Sequence, residues 1–177
     1  MISFQKTLSD IRYDFPNGKP TIRLFFTYYF FSPRFRILLN YRLGKYLWKS
    51  RNLFLKMFGK YYRKIMITKR NCDISYNASI GKNLKMPHPI GIVIGDGVVI
   101  KDNVIVFQQV TFGSHGRKDK EMEYPIIESG VKIFAGAKII GGITIGENAI
   151  VGANSVVNID VPANAIAVGI PCKILFK

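Results

Sequence analysis

Acidic residues are scarce: 11 Asp/Glu stand against 26 Lys/Arg, a formal net charge of +15. Cysteine is scarcer still. Cys72 and Cys172 are the only two, far apart and near no other soft ligand, so neither a disulfide framework nor a zinc pattern is present, and a reducing compartment fits. There is no long apolar run. The stretch MISFQKTLSDIRYDF carries charges throughout and lacks the apolar centre of a secretory signal, and the run Leu24 to Phe31 is too short to span a bilayer. The expected location is the cytoplasm. With 177 residues and 48% hydrophobic content, the chain can bury one sizeable core with an appendage.

The charge that is present is unevenly spread. Residues 1–70 hold 16 Lys/Arg and 2 Asp/Glu, whereas residues 71–177 hold 10 and 9. The two regions therefore meet different surroundings.

From Ile127 an aliphatic residue recurs at every sixth position: Ile127, Ile133, Ile139, Ile145, Val151 and Val157. Four places after each stands a small or β-branched residue: Val131, Ala137, Ile143, Ala149, Ser155 and Val161. Neither a helix nor a hairpin has this period. A period of six belongs to a parallel β-helix, in which each hexapeptide gives one short strand and a turn. The same register upstream finds Ile94, Ile100 and Val106, with partners Val98, Val104 and Val110. Before them come Ile74, Ile80 and Met86, with partners Ala78, Leu84 and Ile90. The twelve hexapeptides predict about four triangular coils, interrupted by a two-residue insertion at Ile92 and Val93 and by an excursion between Thr111 and Ile127. A β-sandwich would alternate at period two and needs turns every 8 to 12 residues. The domain reading is a basic aromatic helical region over 1–70 and a mainly β unit over 71–177, with a protruding loop at 112–126 and a C-terminal tail at 162–177.

The first region interleaves aromatics with basic residues. From Pro33 the positions Phe35, Leu38, Leu39, Arg42 (through its stem), Leu43, Tyr46 and Leu47 follow helical spacing, and Ser32-Pro33 reads as a cap and first turn. One or two amphipathic helices are predicted. A basic face beside an aromatic face suits either a membrane interface, at the inner face of the membrane, or packing against the β-helix or a sister subunit. No helix-turn-helix, zinc finger or RNA-binding signature accompanies the charge, so no nucleic-acid partner is expected.

Two histidines are the candidate bases, and both fall where the repeat breaks. His88 lies in MPHPIGIVIG, with Asp73 fifteen residues before it; a coil of eighteen brings the two near each other on neighbouring coils. A carboxylate on one imidazole nitrogen fixes the tautomer and leaves the other nitrogen to accept a hydroxyl proton. Taken alone, that spacing is also compatible with an incidental pair. His115 lies in the charged excursion GSHGRKDKEMEYPI.

From Asp73 onward the segments DISYNASIGKNLKMPHPIGIVIGDGVVIKDNVIVFQQVTFG, GVKIFAGAKIIGGITIGENAIVGANSVV and VPANAIAVGIPCKI resemble the hexapeptide-repeat acyltransferases, in particular the serine acetyltransferase group and related sugar and capsular-polysaccharide O-acetyltransferases. The resemblance implies a left-handed parallel β-helix, a homotrimer with sites between subunits, and acetyl-CoA as co-substrate with no metal. It carries Asp73 and His88 onto the family's catalytic dyad. Gly113, Ala135 and Ala153 fall on positions lining the coenzyme channel. His115 falls at a threonine position near the coenzyme, and Lys173 on a phosphate contact for which Lys138 and Lys177 compete. Two substrate positions depart from the serine pattern: Pro87 stands where an aspartate precedes the histidine, and Tyr124 replaces the histidine of a DRHPK-like segment. These departures lead to the expectation of a sugar or polysaccharide hydroxyl as acceptor, with serine O-acetylation as the alternative and a non-catalytic scaffold as a second rival.

Overall fold

A computed structural model describes residues 3–15, 18–116 and 123–176. After four helices, fourteen short strands follow, most of two residues, as hexapeptides require. Three sheets form the faces of a prism. The first stacks β1 (Asp73–Ile74), β3 (Val93–Ile94), β6 (Thr111–Gly113), β9 (Lys138–Ile140) and β12 (Val156–Val157). The second stacks β2 (Ser79–Ile80), β4 (Val99–Ile100), β7 (Ile126–Ile127) and β10 (Thr144–Ile145). The third stacks β5 (Ile105–Val106), β8 (Lys132–Ile133), β11 (Ile150–Val151), β13 (Ile166–Val168) and β14 (Lys173–Leu175). Among the described residues all strand pairings are parallel except β13 with β14.

The anchors do fill the core: Ile74, Ile94, Ile100, Val106, Ile127, Ile133, Ile139, Ile145, Val151 and Val157 are buried, with Val98, Val104, Val110, Val131, Ala137 and Ala149 beside them. Each branched aliphatic removed from water contributes about 1.5–3 kcal/mol, so the stack is the main source of stability. Left-handed turn residues Asn83, Asn103, Asn148, Asn154 and Asn164 let the chain turn between strands, because asparagine adopts positive φ at little cost.

Two details of the register differ from expectation. Phe112, fully buried in β6, is an anchor that the period predicts six residues after Val106 but that the charged excursion obscured. It opens a third coil, and Val161 and Ala167 close a fifth through pairing with Ile145 and Val151, so five coils replace the expected four. The insertion also sits two residues earlier than expected. Ile90 is exposed and Gly91 turns through φ 68°, while Ile92 is fully buried and takes the inward place assigned to Ile90. The chain therefore bulges outward immediately after His88.

The described residues of the N-terminal region form four helices, not one or two: α1 (Phe4–Tyr13), α2 (Ile22–Phe31), α3 (Pro33–Trp48) and α4 (Leu53–Arg70). Each start is capped by a side-chain oxygen, from Ser3, Thr21, Ser32 and Asn52, and Pro33 occupies the first turn of α3. Helix α3 is the central one. Its Ile37, Leu38 and Tyr41, with Met66 of α4, join one core with Cys72, Ile74, Tyr76 and Ala78 of the first coil. The helices thus cap the N-terminal end of the prism. Arg42, expected to contribute only its stem, buries its whole side chain and donates to the carbonyls of Ile80 and Gly81, both at 2.7 Å. Asp14 and Asp10, the only acids in residues 1–70, lie 3.3 and 3.8 Å from its guanidinium. No helix among the described residues is long and apolar enough to cross a membrane.

Candidate active site

Helix α4 ends at Arg70, Asn71 turns through a left-handed φ of 51°, and Cys72 and Asp73 enter the first strand. That short passage runs beside the segment after His88. Gly91 N–H donates to Asn71 O at 2.7 Å, the Cys72 thiol to Pro89 O at 3.1 Å, and Asp73 N–H to Ile92 O at 3.0 Å. Three bonds therefore tie the strand bearing Asp73 to the corner bearing His88. Burial raises the Cys72 thiol pKa, so the sulfur is a structural donor and a poor nucleophile.

Asp73 is half-buried and takes two of the three Arg63 guanidinium nitrogens on one oxygen, Nη2 to Oδ1 at 3.0 Å and Nε to Oδ1 at 3.2 Å. Among the described residues Oδ2 accepts no hydrogen bond, and none joins Asp73 to His88. Arg63, from α4, is a partner that sequence reasoning missed, because nothing in the helical spacing marks which basic residue faces the β-helix.

The His88 side chain is exposed and lines a cleft of about 590 Å³ between the helices and the first corner. Pro87, Pro89 and Ile90 line it from the β-helix. From the helices come Tyr29, Phe30, Arg36, Ile37, Ile65, Lys69 and Arg70. The floor of the cleft is thus helical, although the sequence assigned those helices no part in the site. The volume falls within the range of small-molecule sites.

The remaining expected residues divide into groups. Ala135 and Ala153 stand one coil apart on one corner, where Asn154 N–H donates to Ala135 O at 2.9 Å. Gly113 ends β6 at the far side of the first face, paired with Ile140, and His115 follows it, half-buried. Lys173 is exposed on β14. Lys138 is committed elsewhere: its ammonium donates to Gln109 O at 2.7 Å and Thr111 Oγ1 at 3.2 Å. Lys177 and residues 117–122 of the expected loop lie outside the described residues. Tyr124 packs flat over Gly95 and Gly97, where an added Cβ would meet its ring at 3.0 and 2.3 Å. It does not line the His88 cleft of its own chain. Among the described residues no cluster of His, Cys, Asp or Glu could hold a metal ion.

The chain resembles known proteins in both sequence and fold. A family model described as bacterial transferase hexapeptide (six repeats) matches residues 124–158. The serine acetyltransferase of Buchnera aphidicola subsp. Schizaphis graminum is 37% identical over 158 residues, covering 89% of this chain and 59% of that protein. The chain therefore spans somewhat over half the length of the curated relative. Among solved structures, soybean serine acetyltransferase complexed with serine aligns with a TM-score of 0.79 at 32% identity, covering 97% of this chain and 68% of that one. The Brucella abortus serine acetyltransferase in complex with coenzyme A aligns with a TM-score of 0.79 at 30% identity, covering 97% and 66%. These likenesses overturn the expected sugar or polysaccharide acceptor and the assignment to polysaccharide biosynthesis. Pro87 and Tyr124 depart from the serine pattern, yet the serine acetyltransferases of Buchnera and soybean match this chain across helices and β-helix together.

Proposed function

The chain belongs to the hexapeptide-repeat acyltransferases, in their serine acetyltransferase-like group, and we propose that it is a serine O-acetyltransferase that uses acetyl-CoA to make O-acetylserine. The observation that carries this reading is the placement of His88 on an open cleft, in a chain that aligns along nearly its whole length with an enzyme complexed with serine.

In the proposed reaction the serine hydroxyl gives its proton to His88 as its oxygen attacks the thioester carbonyl. The tetrahedral intermediate collapses, the carbon–sulfur bond breaks, and the thiolate of CoA takes the proton back from the imidazolium. No covalent enzyme intermediate and no metal enter the scheme. Asp73 is the positioning carboxylate: Arg63 fixes Oδ1 and leaves Oδ2 to steady the imidazolium. Gly113, Ala135, Ala153 and Lys173 are assigned to the coenzyme, with His115 at its border, and the left-handed coil and trimeric assembly complete the site between subunits.

The test is direct. Incubation with acetyl-CoA and L-serine should release free thiol and yield O-acetylserine by mass spectrometry, and His88→Ala should slow turnover by about 10²–10⁴-fold through loss of the base. Thiol release that ignores added serine, or a His88→Ala enzyme at full speed, would sink the proposal.

A further inference from the structure

The His88 cleft is cationic without an acid to balance it. Its lining includes Arg36 from α3 and Lys69 and Arg70 from α4, and no Asp or Glu. One atom of these lining residues stands out. Arg70 Nη1 is out of contact with water and has no hydrogen-bond partner among the described residues. A buried donor with nothing to donate to is costly, and more so when it carries charge. Burial and the neighbouring Arg36 charge both depress the Arg70 pKa, burial more strongly. The chain elsewhere neutralises such a group: buried Arg42 has Asp14 and Asp10. Arg70 lies at the C-terminal end of α4, where the helix dipole favours a cation, but this does not supply the absent acceptor for Nη1.

Planar guanidinium groups match carboxylate and phosphate oxygens in geometry and charge. We propose that Arg36 and Arg70 form an anion subsite of the His88 cleft, which seats an anionic group of the acceptor, a carboxylate or a phosphate, while His88 faces its hydroxyl. This rests on the reading of His88 as the base of an O-acetyl transfer. For L-serine the group is the α-carboxylate, and the subsite supplies acceptor recognition in a chain whose Pro87 can offer no charge. The subsite comes from the helical layer, so the helices that cap the prism also select what is acetylated.

Two variants from different helices, Arg70→Gln and Arg36→Gln, test it, with thermal melts to establish that each is folded. The expected result is a rise in the KM for L-serine of about 10- to 100-fold, with the KM for acetyl-CoA unchanged, as befits loss of a charge-assisted bond. L-Serinamide, which lacks the carboxylate, should be used equally by wild type and variants. Inorganic phosphate, titrated calorimetrically, probes the other source of the anion. If wild type acetylates no serine yet binds phosphate in an Arg70-dependent manner, the serine reading fails, and the subsite stands for a phosphorylated acceptor. If both folded variants keep the wild-type KM for L-serine and the wild-type affinity for phosphate, the subsite is overturned while the serine reading survives.

Discussion

Lys45 shows how a single residue can tie the helices to the prism. Its ammonium donates to the Ala78 carbonyl and, at 3.0 Å, to the Tyr41 hydroxyl, which itself donates to Ala78 O at 2.7 Å. Burial, helped by the charges of Lys49 and Arg42, lowers the Lys45 pKa to about 8 from 10.5. Between those two values the unfolded chain keeps a proton that the folded chain has released, so stability gained from this group rises with pH across the window. Below pH 8 both states are protonated and the full cost of the buried charge is present. Urea unfolding at intervals between pH 7.5 and 10.5 should show wild type gaining on Lys45→Met as pH rises. A constant difference between the two proteins would contradict the assignment.

At the scale of elements, the join between α1, α3 and the first coil depends on one buried guanidinium. Arg42→Met would leave Asp14, 1% exposed and already pushed to a higher pKa by burial, without its cation. The expected loss is about 3–5 kcal/mol, as for removal of one partner of a buried pair, with partial recovery in the Arg42→Met/Asp14→Leu double variant. Denaturant unfolding of the four members of the cycle measures it. How far the elements were legible depends on whether period alone decided them. Hexapeptide anchors such as Ile133 and Ile145 were plain, since an aliphatic at every sixth place has one structural meaning. Phe112 was hidden because the next anchor, Ile127, lies fifteen residues on. Ile90 was misplaced because an insertion moves the inward position without changing composition. Arg36, Arg63 and Arg70 were counted as part of a basic surface. Which of sixteen cations turns inward is fixed by helix packing, which is a property of three dimensions and leaves no spacing to read.

For the whole molecule, the exposed aromatics of α2 and α4, among them Phe30, Phe31, Phe54 and Phe58, leave a large apolar surface on a single copy. Trimer formation is expected to cover part of it. Sedimentation should give a mass near three times 20.1 kDa, and a monomer at micromolar concentration would remove the basis for sites between subunits. The last strand bears on assembly in another way. A solenoid is a stack whose terminal rung presents the same unpaired backbone groups that join its coils, so each free end is a template for more of the same. Here β14 folds back antiparallel, pairing Leu175 with Ile166 and Lys173 with Val168, while the helices close the opposite end. Deleting residues 171–177 should therefore yield a protein that retains its coils but associates with rising concentration, seen by light scattering. The hairpin is a stop signal written in hydrogen bonds: it gives the open edge of β13, the last rung of the third sheet, an antiparallel partner from its own chain.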